Sequence, residues 1–212
     1  MWRRDRKQLQ RNIIAGLLGA NERWSLGDVR ALLDSYTGII RAELRSHLID
    51  FLSEVAPCAE ALGLRLCCHP DDPPFSLLGL PRVMSSCADY SLVLNAVDLP
   101  ANGATLCTGS LGVAEDFDGP AFVKTHGPRI HFAHLRNTNR ISRSDAARPD
   151  LFEAPHHEGA TDLVGDVRAG MAGRIRRRAR VRVSPAGRGR GSGSSGPGGT
   201  RGRGPTAGGA SV

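Results

Sequence analysis

Apolar residues along the middle of the chain follow two alternating patterns. From about residue 25 to residue 167, segments with apolar positions at helical spacing alternate with short uninterrupted apolar runs. The longest helical pattern covers 43–62 and ends at Gly63. Pro57 predicts a kink or a division in this helix, because a proline ring removes one helical hydrogen bond. The apolar stripe comprises Leu44, Leu48, Phe51, Leu52, Val55, Ala59 and Leu62.

Start and stop signals predict four further helices. Ser25, followed three residues later by Asp28, forms a capping-box pattern, in which each side chain satisfies a backbone N–H group at the start of a helix. The four predicted helices run from Ser25 to about Tyr36, from Ser85 or Ser86 to about Val97, within Pro120–His126, and from Thr161 to about Ala172.

Three short apolar runs predict strands at Leu64–Cys68, Ala104–Cys107 and Arg129–Leu135, and the first of them is predicted to be a buried strand. Strands that alternate with helices are typical of a parallel α/β architecture. A complete eight-stranded α/β barrel takes roughly 200–250 residues, and the regular pattern here covers far fewer. We therefore predict a partial (β/α)₈ TIM barrel over residues 1–172.

The last part of the chain differs in composition. Residues 174–212 contain ten arginines and no acidic residue, whereas 1–173 hold 18 basic and 21 acidic side chains, a net charge of −3. We predict a disordered basic tail over 173–212. It is either an Arg-Gly segment that binds RNA, a solvated tail, or an out-of-frame translation of GC-rich DNA. The charge of the body gives no support to nucleic-acid binding.

The cysteines and the apolar runs indicate where in the cell the protein is expected. Five cysteines occur, with no Cys-x-x-Cys pair, and no apolar run approaches the roughly 18 residues that span a bilayer. The N-terminus lacks the pattern of a signal peptide. We therefore expect free thiols, no membrane segment and a cytoplasmic location.

Each predicted strand ends in a good metal ligand: His69, Cys107 or His134. The carboxyl ends of parallel strands meet at one end of an α/β barrel, so these side chains are expected to converge. Imidazole and thiolate suit a divalent metal such as Mn, Fe, Co or Zn. Each residue also has an ordinary alternative, a structural histidine or a buried small cysteine.

Several neighbours of these ligands carry further chemistry. His131 lies in the same strand as His134 but three residues away, so the two side chains face opposite sides. Arg136 and Asn137 follow and are the predicted substrate-binding residues, because an arginine clamps a carboxylate well. The alternative for Arg136 is a surface salt bridge. Asp71 and Asp72 either orient a ligand or cap a turn, and Thr108, Gly109 and Ser110 offer small polar groups.

A series of collinear motifs resembles the mannonate dehydratase family over about residues 7–170. The closest resemblance lies in HPDDPPF at 69–75, GLPRVMSS at 79–86, LPANG at 99–103, TLCTGSLG at 105–112 and RIHFAHLRN at 129–137, with looser matches in AGLLGANERWSL at 15–26 and FEAPHHEGATDLV at 152–164. The resemblance implies a barrel of the xylose-isomerase-like type. It also implies dehydration of D-mannonate to 2-dehydro-3-deoxy-D-gluconate in hexuronate breakdown, with Mn²⁺ or Fe²⁺ on His69, Cys107 and His134.

The resemblance also implies parts that this sequence does not contain. Family members have further residues before the point that matches residue 7. Beyond residue 172 they have an Arg-Pro-Asp-His-Gly motif, which supplies a fourth metal ligand and an acid–base pair. The Arg-rich tail stands there instead. We expect a fragment, frameshifted near Gly173, with impaired activity and with its catalytic acid–base residues unassigned.

Two other functions stay open at this point. A related metal-dependent sugar isomerase or epimerase barrel would also place ligands at its strand ends, although more of them would be carboxylates. A non-enzymatic RNA-binding protein would use the Arg-Gly tail. A homo-oligomer is also left open.

Overall fold

The chain forms an α/β structure with one parallel sheet and one hairpin. The computed structural model describes residues 25–141, 150–170, 172 and 180–183. The helices are α1 (Leu26–Asp34), α2 (Arg41–Ala61), α3 (Cys87–Ala96), α4 (Thr108–Leu111), α5 (Gly119–His126) and α6 (Leu163–Ala169), with a 3₁₀ turn at Gly127–Arg129. The strands are β1 (Leu66–Cys68), β2 (Asn102–Cys107), β3 (Ile130–Leu135), β4 (Asn137–Ile141), β5 (Asp150–Ala154) and β6 (Arg180–Val183).

The main sheet has the strand order β1-β2-β3-β6, and all of its pairs are parallel. All six residues of β2 are buried, because β2 has a neighbour on each side and helices pack against the sheet. Strands β4 and β5 form a separate antiparallel pair after β3. The parallel order places the carboxyl ends of β1, β2 and β3 at one edge of the sheet.

The signals at the helix ends are borne out. Ser25 and Asp28 form both hydrogen bonds of the capping box at α1. Of the two serines offered for α3, Ser86 is the N-cap, and its hydroxyl accepts from the Asp89 N–H. Helix α2 continues through Pro57 as a single element, so the proline does not divide it.

Strand β1 differs from its prediction. It covers Leu66–Cys68 and not Leu64–Cys68, and it is not a buried strand, since Cys67 is exposed and its two neighbours are only partly buried. The reason is position: within the described residues β1 pairs only with β2, so it forms an edge of the sheet. A run of apolar residues does not distinguish an edge strand from a central one.

Three other strands were not predicted. The hairpin β4–β5 follows β3. Strand β4 (NTNRI) is polar and β5 (DLFEA) has only two adjacent large apolar residues, so neither forms a longer apolar run. Strand β6, Arg180–Val183, lies in the predicted disordered tail and pairs with β3. The prediction of disorder does not hold at these four residues, because the alternating sequence RVRV suits a strand. The rest of 173–212 lies outside the described residues, where that prediction stays untested.

The core lies between the sheet and helices α2, α3 and α5. Tyr90 and Phe122 are fully buried and meet edge to face, with ring centroids 5.2 Å apart. Such burial of large apolar side chains is the main stabilising contribution in a domain of this size. The fully or nearly buried apolar residues of this cluster include Leu52, Ala56, Met84, Tyr90, Val93, Leu94, Leu106, Leu111, Phe122, Val123 and Ile130.

Two predictions from the sequence, on the cysteines and on membrane helices, can be compared with the structure. All five cysteines lie within the described residues and are free thiols, as predicted. Among the described residues, no helix has the length and apolar character needed to cross a membrane. The cytoplasmic location stays a prediction.

A buried carboxylate joins α2 to α3. The Asp89 side chain is only 4% exposed and accepts from Arg41 at 2.6 Å and from Arg45 at 2.7 Å. It also accepts from the Ser85 N–H and the Ser86 hydroxyl. Two cations and two neutral donors therefore compensate the loss of water around this carboxylate.

We predict that Asp89→Ala lowers the free energy of unfolding by about 1–3 kcal/mol, because buried donors lose their acceptor. Asp98→Ala is the matched control. Asp98 also pairs with an arginine, Arg129, at 2.7 Å, but its side chain is 83% exposed, so its loss should cost below about 1 kcal/mol. Urea denaturation measures both changes, and equal losses would contradict the role of burial at Asp89.

Candidate metal centre

The three predicted ligands converge at one edge of the sheet. His69 follows the end of β1, Cys107 ends β2, and His134 lies in β3 directly beside Cys107 in the parallel register. One ligand atom from each side chain lies within 4.8 Å of the other two. Among the described residues, no other group of three or more histidine, cysteine or acidic side chains meets this condition.

Cys107 is suited to metal binding by its surroundings. Its Sγ lies 3.6 Å from His134 Nδ1 and 3.2 Å from the Ser110 hydroxyl. Burial opposes ionisation of the thiol, but hydrogen bonds from His69, Ser110 and Arg136 outweigh this effect and lower the pKa of Cys107 to about 7. A cysteine binds a metal as the thiolate, so the environment favours the ligating form.

The contact between His69 and Cys107 also changes the pKa of His69. Its hydrogen bond with Cys107 raises the pKa of the His69 imidazole, against the opposing effect of burial. The His69 and His134 rings lie 5.9 Å apart between centroids. A thiolate with two imidazoles is a donor set that binds divalent transition metals, so these residues fit such an ion.

His131 lies away from this group, as the strand alternation predicted. Its Nδ1 is 2.8 Å from the carbonyl oxygen of Leu66 in β1, which lies on the other side of β2. Close approach at this point requires Gly103, where a Cβ atom would lie 2.3 Å from the His131 ring. His131 therefore contributes to the packing of the sheet.

Arg136 lies beside the group and joins three segments of the chain. Its guanidinium donates to the carboxylates of Asp72 and Glu153, and to the Ser110 hydroxyl at 3.2 Å. The Arg136 side chain is only 14% exposed, while those of Asp72 and Glu153 are 45% and 38% exposed. The arginine predicted to bind substrate is thus engaged by two partly exposed carboxylates.

Asn137, the second predicted substrate-binding residue, is buried and makes four hydrogen bonds within the protein. It is 1% exposed, and its amide donates to the His156 and Thr161 carbonyl oxygens. Its carbonyl oxygen accepts from the Thr138 and Thr161 N–H groups. A direct substrate contact at Asn137 would have to replace one of these bonds, which hold the 156–161 loop to the start of β4.

Two residues near the group, Glu153 and Thr108, make contacts that no pattern in the sequence indicates. Glu153 was not singled out, because it lies in a strand that was not predicted. Thr108 was noted only as a small polar group, yet its hydroxyl donates to the Arg136 carbonyl at 2.6 Å and accepts from the Arg136 N–H. Thr108 therefore fixes the backbone at Arg136.

A cluster of polar side chains in the loop before α6 does not join the ligand group; it comprises His156, His157, Glu158 and Asp162. His157 and Glu158 lie 3.2 Å apart with exposed side chains, as expected of a solvated loop. Asp162 is the N-cap of α6 and accepts from the Gly165 N–H. His156 Nε2 lies 3.4 Å from the Leu135 carbonyl oxygen.

Together, the fold and the ligand group define part of a parallel α/β barrel with a candidate metal centre at its strand ends. Solved structures support the fold. A xylose isomerase domain protein from Alicyclobacillus acidocaldarius superposes with a TM-score of 0.51 at 19% identity, over 72% of this chain and 53% of that chain. A xylose isomerase-like TIM barrel protein from Mycobacterium smegmatis gives 0.50 at 16% identity, over 65% and 43%.

The particular family follows from closer relatives. The family model described as D-mannonate dehydratase (UxuA) matches residues 1–189. The chain therefore belongs to the D-mannonate dehydratase family, and the resemblance seen in the sequence is confirmed. This match extends past residue 172, the predicted end of the barrel domain.

Individual relatives agree with the family match but are longer. The mannonate dehydratase of Rhizobium meliloti is 47% identical over 175 residues, which cover 82% of this chain and 43% of the relative. Mannonate dehydratase 1 of Agrobacterium fabrum is 49% identical over 171 residues, 81% of this chain and 42% of the relative. The crystal structure of the Streptococcus suis mannonate dehydratase superposes with a TM-score of 0.66 at 27% identity, over 78% and 46%. The chain thus spans less than half the length of these relatives.

We predict that one thiolate of the metal-free protein forms with a midpoint near pH 7. Above this pH Cys107 is ionised, because its pKa is about 7, whereas burial raises the pKa of Cys68 to about 11. The thiolate absorbs ultraviolet light more strongly than the thiol does, so a pH titration of the protein minus that of Cys107→Ser isolates its signal. Identical absorbance of the two proteins at pH 8 would contradict the lowered pKa.

We predict that Gly109→Ala displaces Arg136. A Cβ atom at Gly109 would lie 2.3 Å from Arg136 Cγ, and overpacking of this kind costs about 1–3 kcal/mol of unfolding free energy. Gly27→Ala is the control, because there the new Cβ would lie at an ordinary 3.4 Å from Ser25 Oγ. Chemical denaturation should show a loss for the first variant only, and a neutral Gly109→Ala would show that Arg136 adapts freely.

Proposed function

We propose that this chain binds Mn²⁺ or Fe²⁺ through His69, Cys107 and His134 and takes part in the dehydration of D-mannonate to 2-dehydro-3-deoxy-D-gluconate. The convergence of these three ligand types at the ends of adjacent parallel strands carries the proposal. Family membership supplies the reaction. Because the chain covers less than half of its relatives, the reaction of those whole proteins is a proposal for this chain.

The reaction removes water from two neighbouring carbons. The proton leaves C2, next to the carboxylate, and the hydroxyl group leaves C3 with a proton as water. The resulting enol becomes the 2-oxo product by moving its hydroxyl proton to C3. A bound divalent ion supplies Lewis-acid stabilisation of the negative charge that develops on the carboxylate side of the substrate.

The protein residues prepare the site for an anionic substrate. Cys107, as the thiolate, and the two histidines hold the metal. Arg136 keeps a positive charge next to Cys107, where it stabilises the thiolate and offers a partner to a substrate carboxylate. Such a carboxylate would compete with Asp72 and Glu153, whose partial exposure leaves them free to turn toward solvent.

The acid–base pair has no assigned residues in this chain. The resemblance places that pair in an Arg-Pro-Asp-His-Gly motif, and the sequence does not contain this motif. A positioned acid or base contributes about 10²–10⁴-fold to a rate. We therefore expect metal and substrate binding with turnover reduced by about that factor, relative to a longer family member.

The experiment measures metal binding, substrate binding and turnover on the same chain. Mn²⁺ affinity is followed by electron paramagnetic resonance of free Mn²⁺, and D-mannonate is then added to the loaded protein. We expect Mn²⁺ binding with one site and a spectral change on addition of D-mannonate. Product is quantified as 2-dehydro-3-deoxy-D-gluconate beside the Rhizobium meliloti relative.

Two controls test whether metal binding depends on Cys107 and whether the site recognises C2 of the substrate. Cys107→Ser should lose most of the Mn²⁺ affinity, whereas Cys58→Ser should not, because Cys58 is an exposed thiol on α2 away from the ligand group. D-gluconate, which differs from D-mannonate only at C2, tests recognition of that carbon. Equal Mn²⁺ affinity in the two cysteine variants, or no Mn²⁺ binding at all, would refute the proposed metal centre. Product at the rate of the relative would refute the reduced turnover.

A further inference from the structure

The two neighbouring aspartates after His69 face different parts of the molecule. Asp72 pairs with Arg136 beside the ligand group. Asp71 turns the other way, and its Oδ2 accepts from the Val83 N–H at 2.8 Å and the Met84 N–H at 2.7 Å. A third bond comes from the hydroxyl of the following serine, residue 85, at 3.1 Å. One carboxylate oxygen thus ties the loop after β1 to the segment that leads into α3.

His69 needs such an anchor because its own strand holds it weakly. Strand β1 has three residues, pairs only with β2 within the described part of the chain, and makes its last pairing at Cys68 with Ala104. His69 comes after this point and is exposed. By contrast, Cys107 and His134 are both paired within the sheet. His69 is therefore the ligand whose position depends on its loop.

A chain of hydrogen bonds connects Asp71 to the His69 ring. The Asp71 N–H donates to the Met84 carbonyl at 3.0 Å, and His69 Nδ1 donates to the Pro70 carbonyl at 2.8 Å. The Pro70 carbonyl and the Asp71 N–H belong to the same planar peptide group, so fixing one end fixes the other. This bond also leaves His69 Nε2 as the nitrogen available to a metal.

The residues that bind the Asp71 carboxylate lie at the edge of the hydrophobic core. Met84 is 2% exposed and Val83 is 8% exposed, and both belong to the hydrophobic core. The next residues form the cap of α3, whose Ser86 accepts a backbone hydrogen bond. Asp71 therefore connects an exposed ligand to a buried and capped part of the fold.

We propose that Asp71 is a positioning residue that sets His69 against Cys107 and His134. The inference deepens the proposed metal site and rests on it. Outer residues that orient a metal ligand commonly contribute about 10–100-fold to metal affinity. Asp71 acts in this way through the backbone, with no contact to the metal.

The first test is a double-mutant cycle on Co²⁺ affinity, followed by the visible absorption of the bound ion. Asp71→Ala should weaken Co²⁺ binding by about 10–100-fold and change the absorption bands, because His69 no longer ligates in place. Asp71→Asn should recover most of the affinity, since its amide oxygen still accepts from the backbone. In a His69→Ala background, Asp71→Ala should have no further effect.

A matched control separates positioning from general stability. Asp118 also accepts a backbone hydrogen bond, from Ala121 at 2.9 Å, and caps α5 away from the ligand group. Asp118→Ala should lower the melting temperature without changing Co²⁺ affinity. An equal loss of affinity from Asp71→Ala in the wild-type and His69→Ala backgrounds would overturn the proposal.

The second test needs no metal. In the metal-free protein, nuclear Overhauser contacts should connect the ring protons of His69 and His134, whose centroids are 5.9 Å apart. Asp71→Ala should remove these contacts and keep those between Tyr90 and Phe122 in the core. If His69–His134 contacts persist in Asp71→Ala, the positioning role is wrong. If they disappear but the wild-type protein binds no Co²⁺, Asp71 positions His69 and the proposed metal function fails instead.

Discussion

The parallel pairing of β2 with β1 and β3 is the constraint on which the site depends. Parallel strands in register end at the same edge of a sheet, so residues far apart in sequence meet there. Cys107 and His134 are 27 residues apart in the chain and stand side by side in the ladder. Because β2 is buried along its whole length, this pairing is protected from water.

A second layer of polar contacts surrounds the ligands. Arg136 links the loop after β1, helix α4 and the hairpin. Its hydrogen bond to Cys107 adds to those from His69 and Ser110, which together outweigh burial and lower the pKa of that thiol. Asp71 links the same loop to the core. The two aspartates that share one turn therefore serve opposite faces of it, one toward the ligand group and one toward α3.

The sequence could predict the parts that obey simple periodic rules. The long apolar stripe of α2, the capping box at Ser25 and the strand containing His134 all follow from spacing and local hydrogen bonding. The three ligands could be predicted as a group because parallel strands end together. The specific motifs then identified the family.

Other features depend on tertiary contacts that no local pattern encodes. Cys67 is exposed because β1 is an edge strand, which depends on where the other strands lie. The hairpin and Glu153 were not predicted, because β4 is polar and β5 has only one short apolar pair. Asn137 stays a predicted substrate-binding residue, and its buried amide also holds the 156–161 loop, a contact that its position in the sequence does not reveal. Side-chain direction, which separates Asp71 from Asp72, was equally beyond a linear pattern.

In the proposed metal centre, His69, Cys107 and His134 hold one divalent metal ion. X-ray absorption spectroscopy of the chain loaded with Fe²⁺ tests this claim directly, because it identifies the atoms bound to the metal. We expect one sulfur neighbour and imidazole scattering from two histidines, with the sulfur lost in Cys107→Ser. A first shell of oxygen and nitrogen alone, unchanged by that substitution, would contradict it.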